Sequence, residues 1–408
     1  MLTLAYLANE FPSRVEPYVV DEIAELRSRG IRVITASVRR PAKDIMAPPQ
    51  IILQPVKPSL LPSVLWLLVA RWRRIAPLLL RILLSGRETL WQRAKALVHT
   101  FLGVCYAVRL RGHGVDHIHV HHGYFGSWIA MTAASVLGAS FSMTLHGSDL
   151  LLHGTYLDAK LANCKFCFTV SEYNRKAILD RWPELDQGKI ILSRLGVEIP
   201  LCEISTTTRE GEYLKLLAVG RLHTVKDHAF LVRACTELRT RGVQFRCQIA
   251  GEGPERGSLE SLIRELRLQN CVTLLGHIER EALGSLYEQA DAVVLTSRSE
   301  GIPLVLMEAM ARGRIVVAPA ITGIPELITT GETGFLYQPG QLNDCVAHLQ
   351  FVDWLIRAWR RSQESKDSSP EAARYLMRIR RKAVDHVVQN FNREKNLERF
   401  GDLFIERT

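Results

Sequence analysis

The chain has 408 residues, of which 47% are hydrophobic and 23% are charged, close to ordinary globular proteins. This composition excludes a wholly disordered chain and a fibrous repeat, and the length suggests two or three domains. The net charge of +10 is uneven: residues 1–200 hold 24 Lys and Arg against 15 Asp and Glu, a net +9, which leaves a net +1 for residues 201–408. A basic first half predicts an acidic partner, such as phosphate groups or anionic lipid.

The first half of the chain alternates short apolar runs with longer helical patterns. The runs predict buried strands, and the alternation predicts a parallel sheet with helices on both faces. Ser171 precedes one helical pattern and is expected to cap it. The predicted strands are Leu2–Leu7, Ile31–Ser37, His117–His121, Phe141–Leu145 and Phe166–Val170, and the predicted helices include Glu16–Ser28, Gly126–Leu137 and Ser171–Arg181.

The most apolar stretch of the chain is Leu60–Leu84. Its uncharged run, Pro58–Ala70, is shorter than the about 20 residues that a membrane-spanning helix needs. Trp66 and Trp72 lie beside arginines, which is typical of a helix lying in a membrane interface. We favour that interpretation because the basic excess includes this segment, and the alternative is a pair of helices buried in a large domain. The arginines are Arg71, Arg73, Arg74 and Arg81.

A run of histidines, DHIHVHH, occupies Asp116–His122. In a strand, His117, His119 and His121 share one face and are close enough to share a metal ion. A strand of a parallel sheet is covered on both faces, however, and a zinc site normally draws ligands from several elements. We therefore predict no metal site here. His146, in TLHGSDL at another predicted strand end, would by itself more often be a structural group than a functional one.

A polar, Thr-rich stretch, Gly196–Glu212, interrupts the alternation and is predicted to be a linker. Two doubly wound α/β domains in series leave a cleft that faces the carboxyl ends of their strands. We expect an N-terminal domain of residues 1–197, a C-terminal domain of residues 198–388, and a helix in residues 389–408 that returns to the first domain. The strands predicted after the linker are Leu216–Val219, Phe245–Ala250, Val272–Leu275, Ala292–Thr296 and Ile315–Ala318.

The most informative stretch, SRSEGIPLVLMEAMARG, covers Ser297–Gly313. Glu300 follows a predicted strand, and the turn Gly301–Pro303 leads into a helix predicted at Leu304–Arg312. The free amides and the dipole of a helix N-terminus attract phosphate. Glu300 and Glu308 could bind hydroxyls of the same ligand, so a sugar nucleotide fits. Two glutamates at this spacing could also be plain surface charges of a helix.

Cations and glycines follow the strands of the second series. Arg221 and Lys226 lie in AVGRLHTVKDH, directly after the first strand, where they could pair with a diphosphate. The strand ends in IAGEG and VTLLGHI also carry glycines. Because the carboxyl ends of parallel strands share one edge, we expect these groups to converge on one rim.

The motifs GRL-x3-K, IAGEGP, LLGHI, EGIPLVLMEAMARG and PELITTGETGFLYQP occur in this order between residues 214 and 340. In this combination the chain resembles the family 4 glycosyltransferases of the GT-B fold, over nearly its whole length. The resemblance implies a retaining transfer of a sugar from a nucleoside-diphosphate sugar to an acceptor hydroxyl. It implies that Glu300 contacts the donor sugar, that Glu308 binds the ribose, and that Arg221 and Lys226 neutralise the departing diphosphate. The other donor-binding residues that it implies are Gly220, Gly251, Gly301, Ile302, Pro303 and Leu304.

The opening motif FPSRVEPY at Phe11–Tyr18 is similar to that of exopolysaccharide-assembly members of the family, with Val15 and Pro17 in place of Ser and Thr. This similarity suggests an acceptor that is a lipid-linked or saccharide intermediate of cell-surface polysaccharide synthesis. The resemblance also implies a catalytic His146 near the donor sugar. On the acceptor side it places Glu16, His119 and His121, and it gives Asp149 a structural or an acceptor role.

The chain contains no Asp-x-Asp motif, which usually holds a divalent metal in glycosyltransferases that carry it. We therefore expect metal-independent transfer and no cofactor beyond the donor substrate. Two other functions stay open: a sugar-nucleotide-binding subunit without turnover, and a metal-dependent hydrolase built on the histidines. A nucleic-acid partner is not expected, because the arginines cluster in an apolar, Trp-containing segment rather than in a polar groove with stacking platforms.

The eight cysteines are scattered, and the N-terminal sequence MLTLAYLANEFPSR lacks the basic-then-apolar order of a secretory signal. Both features predict a reduced, cytoplasmic protein. Together with the basic first half, the segment Leu60–Leu84 predicts peripheral attachment to an anionic membrane surface, at the inner face of the cytoplasmic membrane.

Overall fold

The computed structural model of the protein describes residues 1–13, 16–41, 48–151, 154–200, 213–364 and 370–408. Val15 and most of the predicted linker lie outside these ranges. The chain forms two units, unit 1 from Met1–Arg194 with Asn396–Thr408, and unit 2 from Leu195–Lys395. Each unit contains one parallel sheet with helices around it, so the predicted α/β class with two doubly wound domains is confirmed.

Unit 1 has a seven-stranded sheet in the order β3-β2-β1-β4-β5-β6-β7. All its strand pairs are parallel, and β1 and β4 are buried along their whole length. Burial on both faces explains why β1 has the continuous apolar sequence TLAYLA rather than an alternating one. The strands are β1 Thr3–Ala8, β2 Arg32–Ser37, β3 Ile51–Ile52, β4 His117–His121, β5 Ser140–Leu145, β6 Phe166–Thr169 and β7 Ile190–Leu192.

The helices of unit 1 begin where the sequence supplies capping groups. The Ser171 hydroxyl accepts a hydrogen bond from the Asn174 amide at 3.1 Å, so the predicted cap is confirmed. Thr89 and Gln92 form a capping box at the start of α4. The helices are α1 Tyr18–Ser28, α2 Leu61–Ala70, α3 Trp72–Leu84, α4 Leu90–Leu110, α5 Phe125–Leu137, α6 Ser148–Leu151, α7 Leu157–Asn163 and α8 Glu172–Arg181.

The apolar segment Leu60–Leu84 forms α2 and α3, which are only partly buried. Their buried side chains are Val64, Leu67, Ile75, Leu78 and Ile82, and most of their other large apolar side chains are exposed. Each helix therefore packs one face on the core of unit 1 and leaves the other exposed, which is less burial than the alternative of a pair of buried helices predicts. Among the described residues, no helix is long and apolar enough to cross a membrane.

Unit 2 has a six-stranded parallel sheet in the order β10-β9-β8-β11-β12-β13. Its strands are β8 Leu214–Val219, β9 Phe245–Ala250, β10 Val272–Gly276, β11 Ala292–Val294, β12 Ile315–Pro319 and β13 Phe335–Tyr337. Its helices are α9 His228–Thr240, α10 Arg256–Glu265, α11 Arg280–Gln289, α12 Leu304–Ala311, α13 Ile324–Leu327, α14 Leu342–Glu364 and α15 Pro370–Asn390.

The last helix, α16 (Arg393–Arg407), packs against unit 1. Phe400 and Phe404 are buried in one apolar cluster with Tyr6, Phe166 and Phe168. The boundaries between the units lie at Arg194/Leu195 and Lys395/Asn396, a few residues from the predicted boundaries at 197/198 and 388/389. The shift at the second boundary has a physical reason, because the backbone at 391–393 is still hydrogen bonded to Val197 of unit 2.

Candidate functional site

The candidate donor site of unit 2 lies at the carboxyl edge of its sheet, between β8 and β11. The strand order reverses at this point, since β9 and β10 lie beyond β8 on one side and β12 and β13 beyond β11 on the other. Open α/β sheets bind ligands in the crevice at such a switch point. The loop after β8 carries Gly220, Arg221 and Lys226, and the loop after β11 carries Glu300.

An ion pair between Lys226 and Glu300 joins these two loops. The Lys226 ammonium contacts Glu300 Oε1, and the Ser297 hydroxyl donates a hydrogen bond to the same oxygen at 2.6 Å. Lys226 and Glu300 both keep part of their surface exposed. The structure therefore brings together two of the predicted catalytic residues and leaves them accessible to a ligand.

Gly220 and Gly251 let the first two strand exits pack tightly. A Cβ on Gly251, which has a φ of +152°, would lie 1.9 Å from the Gly220 carbonyl oxygen. No side chain fits there, so any residue other than glycine would push the loops apart. These predicted donor-binding glycines thus bring the backbone of β9 close to the loop that carries Lys226.

Helix α12 begins directly after the turn that contains Glu300. Pro303 is the N-cap residue, Ile302 is buried, and Leu304 is the first helical residue. The Thr322 hydroxyl donates to the Glu300 carbonyl at 2.5 Å and holds the start of the turn in place. Gly301 lies between Glu300 and the start of α12, so the predicted anion-binding turn leads directly into the N-terminus of this helix.

Glu308 has a different set of partners from Glu300. The Tyr287 hydroxyl donates to Glu308 Oε2 at 2.8 Å, and the Arg312 guanidinium lies 5.5 Å from the centre of the Tyr287 ring. Burial and the neighbouring Glu308 carboxylate raise the pKa of Tyr287 well above its ordinary value. Tyr287 therefore remains a hydrogen-bond donor and fixes the orientation of Glu308.

Arg221, the other cation predicted to pair with the diphosphate, is exposed.

The candidate site of unit 1 begins with the histidines of β4. His117 lies 2.6 Å from both the Ser140 and the Ser142 hydroxyls, and His119 lies 2.7 Å from Ser142 and 3.1 Å from Thr144. Burial lowers the pKa of His117 to about 3 and that of His119 well below its ordinary value, so both are neutral.

The structure corrects the prediction for His119, which was expected to line the acceptor side. His119 has no exposed surface and packs edge-on against Phe404, so it cannot contact an acceptor in this conformation. His121 is also buried, and its Nδ1 contacts His146. The reason for both findings is that β4 is a central strand covered on both faces.

A hydrogen-bonded chain connects Glu22 to His146. His121 Nε2 lies 3.0 Å from Glu22 Oε2 and 2.6 Å from the Tyr6 hydroxyl, and His121 Nδ1 lies 2.8 Å from His146 Nε2. Tyr6 donates to Glu22, so the oxygens of both residues act as acceptors toward His121 Nε2, which therefore carries a hydrogen. The contact between His121 Nδ1 and His146 Nε2 completes the chain.

His146 is the half-buried end of this chain. Burial and the neighbouring charges of His122 and His121 lower the pKa of His146 well below its ordinary value. Tyr18 stacks on the imidazole with ring centres 4.9 Å apart. Sequence reasoning found His146 and His121, but it missed Glu22, Tyr6 and Tyr18, because nothing in their local patterns distinguishes them from core residues.

His122, Glu16 and Asp149 form a second cluster beside His146. His122 Nε2 lies 2.7 Å from Glu16 Oε1, and His122 Nδ1 lies 3.6 Å from Asp149 Oδ2. Burial alone would lower the pKa of His122, but the neighbouring carboxylates of Asp149 and Glu16 raise it to about 10. His122 is therefore an imidazolium at neutral pH, a role that the sequence analysis did not assign.

Asp149 is fully buried and acts on the backbone. Its carboxylate accepts hydrogen bonds from the amides of Gly123, His146, Gly147 and Leu150, at 2.8 to 3.3 Å. Burial alone would raise the pKa of Asp149, but the neighbouring charge of His122 and the backbone hydrogen bond from Gly123 outweigh burial and lower it well below its ordinary value. Of the two roles predicted for Asp149, the contacts support the structural one, the positioning of His146.

Lys160, which the sequence analysis did not identify, hydrogen bonds to the backbone after β4. Its ammonium donates to the carbonyls of Gly123, Tyr124 and Thr155, at 2.7 to 3.0 Å. Burial lowers the pKa of Lys160 to about 7. A buried lysine that bonds to three carbonyls fixes the backbone between β4 and α5.

One group in the described ranges has a donor set that could hold a metal: Glu22, His119 and His121, whose ligand atoms lie within 4.8 Å of one another. All three side chains are buried, and the imidazole nitrogens already have hydroxyl, carboxylate or imidazole partners. The hydrogen bonds explain this cluster without an ion.

A family model matches part of unit 2. Residues 204–352 match the family model described as "Glycosyl transferases group 1". The chain is 33% identical over 167 residues to the putative colanic acid biosynthesis glycosyltransferase WcaL of Salmonella typhimurium, which is 40% of this chain and 41% of WcaL. It is also 33% identical to the amylovoran biosynthesis glycosyltransferase AmsK of Erwinia amylovora, again over 40% of this chain and 41% of the relative. The chain thus spans about two fifths of the length of the curated relatives that it matches.

Solved structures share the fold of the entire chain. Sucrose-phosphate synthase from Thermosynechococcus elongatus aligns with a TM-score of 0.72 at 19% identity, covering 100% of this chain and 99% of that one. HepE from Anabaena in complex with UDP and glucose aligns with a TM-score of 0.68 at 16% identity, covering 100% of both chains. The fold is therefore that of the GT-B glycosyltransferases. The matched family model and the aligned relatives thus show that part of the chain is similar to group 1 glycosyl transferases.

Proposed function

We propose that the protein transfers a sugar, with retention of configuration, from a nucleoside-diphosphate sugar to an acceptor hydroxyl. The observation that carries the proposal is the Lys226–Glu300 pair at the switch point of unit 2, beside the tightly packed Gly220 and Gly251. A cation and a carboxylate held together at this position suit a ligand with a diphosphate at one end and sugar hydroxyls at the other.

The reaction breaks the bond between the anomeric carbon and the diphosphate, and forms a bond from that carbon to the acceptor oxygen. The electron pair of the broken bond leaves with the diphosphate, and the acceptor proton is released to that phosphate oxygen or to solvent. Arg221 and Lys226 stabilise the negative charge that develops on the leaving group. Glu300 holds Lys226 in position, and it binds hydroxyls of the donor sugar.

Unit 1 supplies the second part of the proposed mechanism. A neutral His146, whose Nε2 faces His121, can hydrogen bond to a sugar hydroxyl through Nδ1. Glu16 carries a carboxylate at the edge of the same cluster and suits an acceptor hydroxyl. The relatives WcaL and AmsK are described as enzymes of colanic acid and amylovoran biosynthesis, which supports a lipid-linked or saccharide intermediate of a cell-surface polysaccharide as the acceptor.

Thermal shifts with a panel of UDP-, GDP- and ADP-sugars test the donor site. A ligand that binds the folded state alone raises the melting temperature, by a few degrees at about 100 times Kd. We expect one base to give a shift, with UDP the first to try because HepE was solved with it. Lys226→Gln should abolish the shift, and Lys215→Gln, at the opposite end of β8, should leave it unchanged.

The same samples separate the enzyme from a subunit that binds sugar nucleotides without turnover. An enzyme releases free nucleoside diphosphate when an acceptor is supplied, whereas a binding subunit shows the thermal shift and no release. No thermal shift with any of the three donors would contradict the assignment of unit 2 as the donor site.

Transfer is expected to persist, within about twofold, in an excess of EDTA, because Arg221 and Lys226 supply the positive charge that a metal supplies elsewhere. The measurement is the initial rate of nucleoside-diphosphate release with and without chelator. Loss of activity in EDTA with recovery on adding zinc would instead favour the metal-dependent alternative, with Glu22, His119 and His121 as the ligands to mutate first.

A further inference from the structure

An unusually large part of the exposed apolar surface belongs to three neighbouring helices of unit 1. Of the eighteen large hydrophobic side chains that are exposed in the described ranges, twelve lie between residues 61 and 98. Val69 is 75% exposed, Leu84 77%, Leu90 86% and Trp91 69%. We call the exposed apolar side chains of α2, α3 and the first half of α4 the outer apolar face.

Each of the three helices has two apolar stripes: one is buried in unit 1, and the other is exposed and belongs to the outer apolar face. In α3, Ile75, Leu78 and Ile82 point into the core, whereas Trp72, Leu80, Leu83 and Leu84 lie on another side of the helix and are exposed. The outer side of a surface helix is normally polar. The second stripe therefore has no explanation in the packing of unit 1.

The other two helices repeat the pattern. Leu61, Leu65 and Val69 recur every four residues along α2 and are exposed. In α4, Leu90, Trp91, Leu97 and Val98 have the spacing of one helical stripe.

Side-chain contacts join the three stripes into one surface. Arg93 of α4 donates to the carbonyls of Ile82, Ser85 and Gly86, which holds the start of α4 against the end of α3. The Arg111 guanidinium, directly after α4, lies 4.6 Å from the centre of the Trp66 ring of α2. Leu83, Leu84 and Trp91 thus flank one short loop.

The charge around the outer apolar face is almost entirely positive. Residues 57–111 contain ten lysines and arginines and a single acidic residue, Glu88. Glu88 forms an ion pair with Arg81, which also pairs with Asp158. The charge of Arg81 is therefore already balanced by carboxylates of unit 1. Arg71 and Arg73 are exposed beside the apolar stripes.

We propose that the outer apolar face docks unit 1 on an anionic phospholipid surface. Leucines and tryptophans enter the boundary between headgroups and acyl chains, and the arginines contact lipid phosphates. The one-sided charge favours this occupant over a second copy of the chain, because two such faces would bring like charges together. The docking surface is independent of the proposed sugar transfer, and its failure would leave that proposal untouched.

Sedimentation with vesicles tests the docking surface on the full-length protein. We expect binding to vesicles of equal parts phosphatidylcholine and phosphatidylglycerol, and only weak binding to pure phosphatidylcholine. High salt should release part of the protein, because the Debye length falls from about 8 Å at physiological salt to about 3 Å at 1 M while apolar burial persists. Arg71→Gln with Arg73→Gln should weaken binding about 25-fold, at about fivefold per arginine.

Apolar variants and controls complete the test. Leu83→Ser, Leu84→Ser and Trp91→Ser together should weaken binding at least about tenfold, and their exposure should leave the melting temperature unchanged. The controls lie in unit 2: the half-exposed Trp354→Ser, and the pair Arg280→Gln and Arg381→Gln.

Three outcomes would overturn the proposal. The first is the absence of sedimentation with either vesicle, and the second is equal sedimentation with both. The third is a dimer in analytical ultracentrifugation that the apolar variant abolishes while vesicles bind nothing, which would assign the face to a second copy of the chain.

Discussion

Glu300→Gln is expected to lower kcat at least about 100-fold while the protein stays folded. The substitution replaces a carboxylate with a neutral amide of the same shape, so Lys226 loses its ion-pair partner and the donor sugar loses a charged acceptor. Removal of one preorganised electrostatic group typically has an effect of this size. The measurement is steady-state release of nucleoside diphosphate with the donor that gives the thermal shift.

Glu332→Gln is the matched control for that experiment. Glu332 also pairs with a lysine, Lys382, at 3.1 Å, but on an exposed surface where an ion pair contributes little. Its kcat should equal that of the unsubstituted protein. If Glu300→Gln retains full activity, then Glu300 does not act on the donor and the assignment of the switch-point loops is wrong.

His122→Asn is expected to destabilise unit 1 by about 3 kcal/mol near pH 6, because it leaves the buried Asp149 carboxylate without its charged partner. His122 has a φ of 68°, a left-handed conformation that asparagine tolerates, so backbone strain does not obscure the result. The measurement is urea unfolding followed by tryptophan fluorescence, to which Trp128, buried in the core of unit 1, contributes.

The pH dependence of this difference follows from the two pKa shifts. The pKa of His122 is raised from 6.5 to about 10, so its stabilisation is complete below pH 6.5 and is lost as the pH rises toward 10. The pKa of Asp149 is lowered, so its stabilisation is present above its ordinary pKa and is lost in strong acid. The two proteins should therefore differ most at mildly acidic pH and converge toward pH 10.

Other groups near His122 also titrate, so the pH dependence of the free energy of unfolding has to be compared between His122→Asn and the unsubstituted protein. Glu16, His121 and His146 face the same ring, and Lys160, with its pKa lowered to about 7, changes stability in the opposite direction as the pH rises. The difference between His122→Asn and the unsubstituted protein removes much of their effect. A difference that is constant from about pH 5 to about pH 10 would show that His122 is not charged in the folded state.

The central strands could be predicted from the sequence, and three short edge strands could not. His117–His121 and Phe245–Ala250 were predicted with the bounds of β4 and β9, because buried parallel strands have compact apolar or β-favouring runs. The short strands β3, β7 and β13 were missed. Two or three residues are too few for any periodicity, and neighbouring strands, rather than local sequence, determine their pairing.

The candidate site shows the same limit. Lys226 and Glu300 could be paired from the sequence because each follows a strand of one parallel sheet, and strand ends share an edge. Glu22 could not be found, because it lies on α1 with the spacing of an ordinary amphipathic helix and meets His121 only through tertiary packing. Glu22 and His121 are 99 residues apart in the chain, so no local sequence pattern records their contact.

The placement of α16 has a consequence for biosynthesis. Phe400 and Phe404 complete an apolar cluster of unit 1, yet the ribosome makes them only after all of unit 2. At about 5–20 residues per second, the roughly 200 residues of unit 2 take about 10–40 s to translate. During that time Phe166 and Phe168 lack part of their cover and are available to a chaperone or to a neighbouring nascent chain. Unit 1, although it begins first, is therefore expected to be the last part of the protein to reach its native state.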